Sequence, residues 1–332
     1  MGLNRHVLLL GRADIEALIT MDQCINAVEA AFLGLADTGA ASAVVGVTTA
    51  TGSFHVKAAE LVGDARYFAA KLNANFPRNP SQHGLPTIQG LVVLSDGETG
   101  APLAVLDSAT ITGLRTGAAT AVAARYLALR DARTVTIVGC GAQAPWQLAA
   151  LGQVRQLDRI FAFDIDREAA RRLADREAAR IGVPIEPVDH LPSVSRISDI
   201  VVTCTSSRRA LLGPDDVRDG AFVAAVGADA ESKQEIDPAL LARAVIITDR
   251  TEQCAAFGDL HHALSAGIVT LTDVRAELGQ VVSGRRPGRL SADERIVFDS
   301  TGTPVQDVAV AAVVFERAVA LGAGQAFDFA HA

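Results

Sequence analysis

Cysteine is scarce and scattered in this chain. Cys24, Cys140, Cys204 and Cys254 lie far apart and form no C-x-x-C pair. That excludes a disulfide scaffold and reads as buried thiols in a reducing compartment. No uninterrupted apolar run approaches membrane-spanning length. The opening MGLNRHVLLLG has too short an apolar core before Arg12 and Asp14 for a signal peptide, so a cytoplasmic location and no membrane partner are expected. Basic charge is not in excess either: 30 Lys and Arg stand against 38 Asp and Glu, a formal net charge of −8, which argues against a nucleic-acid partner. His261-His262 with Asp259 lacks the spacing of a helical H-x-x-x-H pair, and no metal site is expected. A pyridoxal site is also unsupported, because the candidate Lys71 lies in a strand-like stretch.

What is present is a chain of 332 residues, 49% apolar and 20% charged, long enough for two domains with separate cores. It is organised around Thr134 to Gln143, TVTIVGCGAQ. Val135, Ile137 and Val138 read as a buried parallel strand. Gly139 and Gly141 give a tight turn that brings backbone close to a ligand, and from Ala142 a helix can turn its free N–H groups toward a pyrophosphate. Strand and helix units then alternate: strands at Arg159 to Phe163, Ile200 to Cys204, Phe222 to Val226 and Val245 to Thr248, with a helix from Asp166 to Ile181. The fold class expected is α/β, a doubly wound nucleotide domain.

The flanks read differently. Thr20 and Gln23 can form a capping box for a helix running toward Gly39. Short strand-like runs follow at Ala43 to Thr49, Phe54 to Leu61, Tyr67 to Phe76, Gln89 to Leu94 and Pro102 to Leu106, predicting an antiparallel or mixed sheet with hairpins. A helix from Ser108 to Leu129 carries the small-residue run TGAATAVAA, which permits close packing. A last strand at Arg295 to Phe298 and a helix from Val305 to Leu321 return to the first domain. The expected division is 1–126 with 302–332 around an inserted 127–301.

The chemistry-bearing residues fall at strand ends. Asp164, after the second strand, is placed to accept the adenosine ribose hydroxyls, a role that disfavours a 2′-phosphate; NAD(H) is preferred and NADP(H) left open, with Arg167 nearby able to meet a phosphate or remain a solvated charge. Thr205 and Ser206, in VVTCTSS, can touch the nicotinamide ribose or cap the next segment. Val226 and Gly227 leave room for the reduced ring, and Asp229 sets a carboxylate beside it. In the flanking domain Lys71 and Arg115 emerge from apolar or small surroundings. Each alone is an ordinary edge charge; together they suit a carboxylate, the arginine as a fork and Lys71 either holding the same anion or acting catalytically by polarising an imine or carbonyl group. His55 and Lys57 alternate with Phe54 and Val56 and share one strand face, as ligands or as an edge histidine and a solvated lysine.

The segments AAKLNANFP, GLPTIQG, LAVLDSATITGLRTGAATAVAARYLA, VTIVGCGAQ, VGADAESKQE and IVFDSTG resemble the ornithine cyclodeaminase and mu-crystallin family over nearly the whole chain. The LRTGAAT helix and the GAD-x-x-x-K-x-E loop are the specific parts. The resemblance implies a dimer-forming domain built from both termini, a central Rossmann domain, Lys71 and Arg115 as substrate-carboxylate ligands, Asp229 as catalytic acid/base, and Gly139, Gly141, Gln143 and Asp164 as dinucleotide contacts. The chain departs from the family where an arginine can precede the second strand: ASAVVGVTTATGSFHV has none, and His55 or Lys57 are the substitutes. The expectation is an NAD-dependent enzyme of L-amino acids and their imino partners. Ornithine cyclodeaminase is the single reading favoured, with amino-acid dehydrogenase or imine reductase as the alternative, including an iminosuccinate type if His55 and Lys57 point inward. A noncatalytic ligand-binding protein is the third reading.

Overall fold

The computed structural model describes residues 6–38, 41–63 and 65–329. Residues 1–5, Gly39 as the expected helix end, and 330–332 of the expected tail lie outside them. In chain order the elements are β1 (Val7–Leu10), α1 (Arg12–Leu18), α2 (Met21–Thr38), β2 (Ser42–Thr48), β3 (Ser53–Val62), β4 (Arg66–Asn75), α3 (Asn79–His83), β5 (Ile88–Asp96), β6 (Pro102–Asp107) and α4 (Ser108–Leu127). Then come β7 (Thr134–Val138), α5 (Ala144–Val154), β8 (Arg159–Phe163), α6 (Arg167–Ile181), β9 (Ile185–Val188), α7 (Leu191–Ser195), β10 (Ile200–Thr203), β11 (Arg208–Leu212), β12 (Phe222–Ala225), β13 (Gln234–Ile236) and α8 (Pro238–Leu241). The rest is β14 (Val245–Thr248), α9 (Thr251–Phe257), α10 (Asp259–Ser265), β15 (Val274–Glu277), α11 (Leu278–Val282), β16 (Ile296–Asp299), α12 (Pro304–Leu321) and β17 (Gln325–Phe327). No single described helix is long and apolar enough to cross a membrane.

Two compact units divide the chain: Met1–Arg115 with Pro304–Ala332, and Thr116–Thr303. The division falls inside α4, at 115/116, and at 303/304, not at the 126/127 and 301/302 boundaries read from the sequence. The reason is that one unbroken helix serves both units, so no loop marks the change.

The first unit is a seven-stranded mixed sheet in the order β17-β1-β6-β5-β4-β3-β2. β2 to β6 form an antiparallel meander, β1 joins β6 in parallel, and β17 returns antiparallel to β1. α12 packs across β3, β4 and β5 and against α2. The side chains facing it, Ala59, Ala69, Val92, Leu94, Ala104 and Leu106, are buried. Because strand side chains alternate, the same strands present the other parity away from α12. There Val45, Phe68, Leu72, Leu91 and Val93 remain exposed, Leu91 by 54%, so the sheet is apolar on both faces.

The second unit is an eight-stranded, wholly parallel sheet in the order β15-β14-β16-β12-β10-β7-β8-β9. This is the α/β Rossmann architecture the sequence implied. β10, β12 and β16 are buried at every position, as parallel strands covered on both faces must be. Asp199 pins the start of β7, its Oδ2 accepting the Arg133 and Thr134 N–H groups at 2.7 and 2.8 Å. The small-residue run of α4 does pack closely: a Cβ on Gly117 would lie 2.5 Å from the Trp146 carbonyl oxygen of α5. Arg155 covers the end of α4, donating to the Ala124, Ala128 and Leu129 carbonyls. β1, β9, β15, β17 and the parallel β11–β13 ribbon were not foreseen; each is three to five residues long, too short for a period to register.

Candidate functional site

Strand order reverses about β7, which has β8 on one side and β10 on the other. Such a reversal opens a crevice at the carboxyl ends of the strands. The chain leaves β7 through Gly139, whose φ of +93° only glycine adopts readily. A Cβ there would also sit 2.7 Å from the Thr205 Cγ2, so the loop is glycine for space as well as for conformation. Gly141 has nothing near its Cβ position, and Gly141 and Ala142 are exposed. α5 begins at Ala144, two residues later than expected, with Gln143 as its N-cap. Gln143 Oε1 is buried and has no hydrogen-bond partner. Open glycine backbone, a helix N-terminus and an unsatisfied amide oxygen together fit a polar, phosphate-bearing ligand.

Asp164 closes the loop from the next strand. Its Oδ2 accepts the Cys140 N–H at 2.7 Å and its Oδ1 the Asp166 N–H at 2.9 Å, leaving further lone pairs for hydroxyls. Arg167 points elsewhere: it pairs with Asp189 at 2.9 Å on the surface, with 68% of its side chain exposed. The neighbouring Arg172 pairs with Asp166 and Arg171 with Glu168. The cations that could have met a 2′-phosphate are thus engaged with surface carboxylates.

Around β10 and β12 the structure adds a residue to which sequence reasoning gave no role. Glu235 is fully buried and accepts from the Thr203 hydroxyl at 2.7 Å, the Thr205 N–H and hydroxyl at 2.6 and 2.7 Å, and the Gly227 N–H at 2.8 Å. Burial raises its pKa and these bonds oppose the rise. Thr205 therefore gives its hydroxyl proton to Glu235 and accepts the Ser207 N–H, a turn-supporting role; Ser206 is exposed. Val226 donates its N–H to Thr203. A Cβ on Gly227 would lie 2.5 Å from Glu235 Oε1, so this glycine makes room for the carboxylate. Asp229, just beyond, has its side chain half exposed and 2.5 Å from Lys233 Nζ. The signal for Glu235 was the final position of the GAD-x-x-x-K-x-E loop.

Behind Glu235 three more carboxylates are buried. Asp259 Oδ1 takes the Glu235 and Ile236 N–H groups, both at 2.8 Å; Asp299 Oδ2 takes that of Leu260 at 2.8 Å; Asp249 Oδ2 takes that of Gly302 at 2.6 Å. Burial and the charge of Glu235 push Asp259 up to about 7, and burial and Asp259 raise Asp299 well above the carboxylate range. His261 and His262 turn to the Ala255 and Lys233 carbonyls.

In the first unit Lys71 and Arg115 meet on a carboxylate that the sequence did not single out. Asp307, on α12, lies 2.8 Å from Lys71 Nζ and 3.2 Å from Arg115 Nε, and all three side chains are at least 92% buried. Lys71 also donates to the Thr112 hydroxyl at 3.2 Å, and Arg115 to Gln306 Oε1 at 3.2 Å. Burial favours the neutral form of Asp307, but Lys71 and Arg115 outweigh it and hold the acid below its usual range. Lys71 is drawn down to about 7, first by burial, then by Arg115 and Lys57, with Asp307 opposing. One carboxylate does not neutralise two buried cations, and an added anion would restore the charge of Lys71. Lys57 stands directly across from Lys71 and His55 from Asn73, so all four share the sheet face toward α12. His55 Nε2 is 2.9 Å from the Ser53 hydroxyl.

Residues 5–322 match the ornithine cyclodeaminase/mu-crystallin family. The chain belongs to this family. Three solved structures of other members align over nearly their whole length. An archaeal alanine dehydrogenase dimer with bound NAD is 38% identical, covering 98% of this chain and 99% of that one, with a TM-score of 0.92. The Δ1-pyrroline-2-carboxylate reductase of Thermococcus litoralis, in complex with NADH and L-proline, is 30% identical over 96% and 99%, with a TM-score of 0.92. The iminosuccinate reductase of Paracoccus denitrificans with NAD+ is 34% identical over 98% and 100%, with a TM-score of 0.90.

The buried acids make one family-independent prediction. Asp259 keeps a proton in the folded protein up to about pH 7 but loses it near pH 4 when unfolded, so its contribution to stability is lost as pH rises through that window. Asp259→Asn retains the Oδ1 acceptor and removes the charge. Thermal unfolding should show the variant gaining on the wild type by a few °C more at about pH 8 than at about pH 5; an equal offset at both would contradict the assignment.

Proposed function

We propose that this chain is an NAD(H)-dependent oxidoreductase interconverting an L-amino acid and its imino or keto partner, as a dehydrogenase or imine reductase. The observation that carries this is the Lys71–Asp307–Arg115 cluster: two buried cations share one carboxylate, which suits the carboxylate end of an amino acid. The glycine turn and Asp164 suit a dinucleotide with free ribose hydroxyls, and the engagement of Arg167, Arg171 and Arg172 favours NAD(H) over NADP(H). Relatives at 30 to 38% identity were solved with NAD, NAD+ or NADH bound.

Ornithine cyclodeamination, favoured from the sequence, gives way here to the dehydrogenase or reductase reading. The relatives of highest identity above carry out amino-acid dehydrogenation or imine reduction by name. The β3 positions sharing the Lys71 face are Ser53, His55, Lys57, Ala59 and Leu61. They include no carboxylate to hold the side-chain ammonium of ornithine.

Bound nicotinamide would supply or take the hydride at the α-carbon. Lys71 and Arg115 hold the carboxylate and so fix the α-carbon, lowering the entropic barrier of encounter. Asp307 keeps those two cations in place. Asp229 gives or takes the proton at the amino or imino nitrogen, a role assigned on the family motif it occupies. The two half-buried or buried thiols of Cys140 and Cys204, with Cys24 and Cys254 fully buried, fit a reducing, cytoplasmic setting. The exposed apolar face of the first unit's sheet, Val45, Phe68, Leu72, Leu91 and Val93, suits a second copy of the chain, a homodimer.

Assays of NADH formation or consumption across L-amino acids, and across 2-oxo acids with ammonium, test the activity. Asp229→Asn should lower turnover by about 100-fold or more while leaving NADH binding by fluorescence intact; full turnover in the variant, or no NADH-linked turnover on any member of the panel, refutes the assignment. In light scattering, Leu72→Glu should shift a wild-type dimer toward monomer. A monomeric wild type would remove the dimer from the proposal.

A further inference from the structure

We propose that Asp259 and Asp299 share a single proton, and that this proton latches the tips of β10 and β12, so that alkali loosens the dinucleotide side of the second unit.

A count of hydrogen-bond donors carries the inference. Glu235 accepts two N–H groups and two hydroxyls. Asp249 accepts the Arg250 N–H at 2.7 Å and the Thr301 hydroxyl at 3.2 Å on Oδ1, and the Ser300 hydroxyl at 3.2 Å and the Gly302 N–H at 2.6 Å on Oδ2. Both oxygens of each acid are satisfied, as a buried carboxylate requires. Asp259 and Asp299 differ. Asp259 Oδ1 and Asp299 Oδ2 accept backbone N–H groups, whereas Asp259 Oδ2 and Asp299 Oδ1 are buried without a partner. One proton satisfies both, with one oxygen carrying it as a donor and the other accepting it.

Placement agrees with the count. The N–H that Asp299 accepts is that of Leu260, the residue after Asp259. A Cβ on Gly258, the residue before, would lie 2.5 Å from Asp299 Oδ2. The corner between α9 and α10 therefore carries Asp259 up against Asp299. Glu235 of β13 acts on Asp259, and Asp249 beyond β14 acts on Asp299; like charges favour keeping the proton. The other titratable groups around the corner are engaged elsewhere. The Cys254 thiol of α9 donates to Asp249, His261 and His262 of α10 meet the Ala255 and Lys233 carbonyls, and Asp237 before α8 accepts the Ala239 N–H.

The latch follows from the bonds on either side. Asp259 holds β13 through the Glu235 and Ile236 N–H groups, and Glu235 holds Thr203, Thr205 and Gly227. Release of the proton to solvent leaves two buried anions together. Their repulsion pushes Asp259 from Asp299 and slackens β13, and with it the grip of Glu235 on the two strand tips.

The test uses the purified full-length protein, Asp259→Asn, Asp299→Asn and the double variant. Each asparagine keeps the oxygen acceptor and offers an N–H in place of the proton. Infrared spectra at about pH 6 should show a protonated carboxyl group in the wild type that either single variant removes. A wild type without that band overturns the proposal even if no variant folds. In denaturant unfolding between about pH 5 and pH 7, the folding constant of the wild type should fall about tenfold per pH unit relative to the single and double variants alike, the slope of one proton held only by the folded state. A fall of about a hundredfold relative to the double variant means two separate protons, and no fall means none; either overturns the shared proton. Fluorescence titration reads the latch: between about pH 7 and pH 9 the wild type should lose about 10-fold more NADH affinity than Asp299→Asn. Equal losses overturn the latch.

Discussion

A carboxylate buried between two cations cannot return to water without unfolding what surrounds it, and Asp307 is in that position. It ties Lys71 of β4 to Arg115 of α4 through the C-terminal helix. Removing one member of such a buried group leaves uncompensated charge, typically at a cost of about 3–5 kcal/mol. The helix α12 is therefore held to β4 and α4 by charge as well as by its apolar face.

The second unit obeys the same rule with opposite sign. Glu235 replaces missing sheet and loop hydrogen bonds with four of its own, to Thr203, Thr205 and Gly227. It thereby shapes the β10 and β12 ends. Asp259, Asp299 and Asp249 anchor neighbouring turns by backbone N–H groups. These buried acids hold strand ends and loops in place, whereas Asp229 is half exposed and pairs with Lys233.

Much of this was legible in the sequence where the signal is local. The alternation of β2 to β6 and the strand–glycine–helix run at Thr134 to Gln143 placed both sheets, and the isolated cations Lys71 and Arg115 stood out against apolar neighbours. Asp307 did not, because its partner Lys71 is 236 positions away and a lone acid in an Ala- and Val-rich helix carries no spacing that names its partner. For Thr205 the sequence left ribose contact and capping both open, because a hydroxyl at a strand end is ambiguous until its acceptor, Glu235, is known. The unit boundary was misplaced by eleven residues since α4 continues through it without a loop. Fold and family were thus encoded in short-range pattern, whereas the electrostatics of the site depend on contacts that only the folded chain assembles.

The proposed reaction moves a hydride between a nicotinamide and the α-carbon of an amino acid. It is tested isotopically: NADH carrying deuterium at both C4 positions is supplied with a 2-oxo acid and ammonium, and the amino acid formed is examined by mass spectrometry. One deuterium at the α-carbon and stoichiometric NAD+ are expected. Amino acid lacking the label, or no amino acid and no oxidation of NADH with any 2-oxo acid supplied, would contradict it.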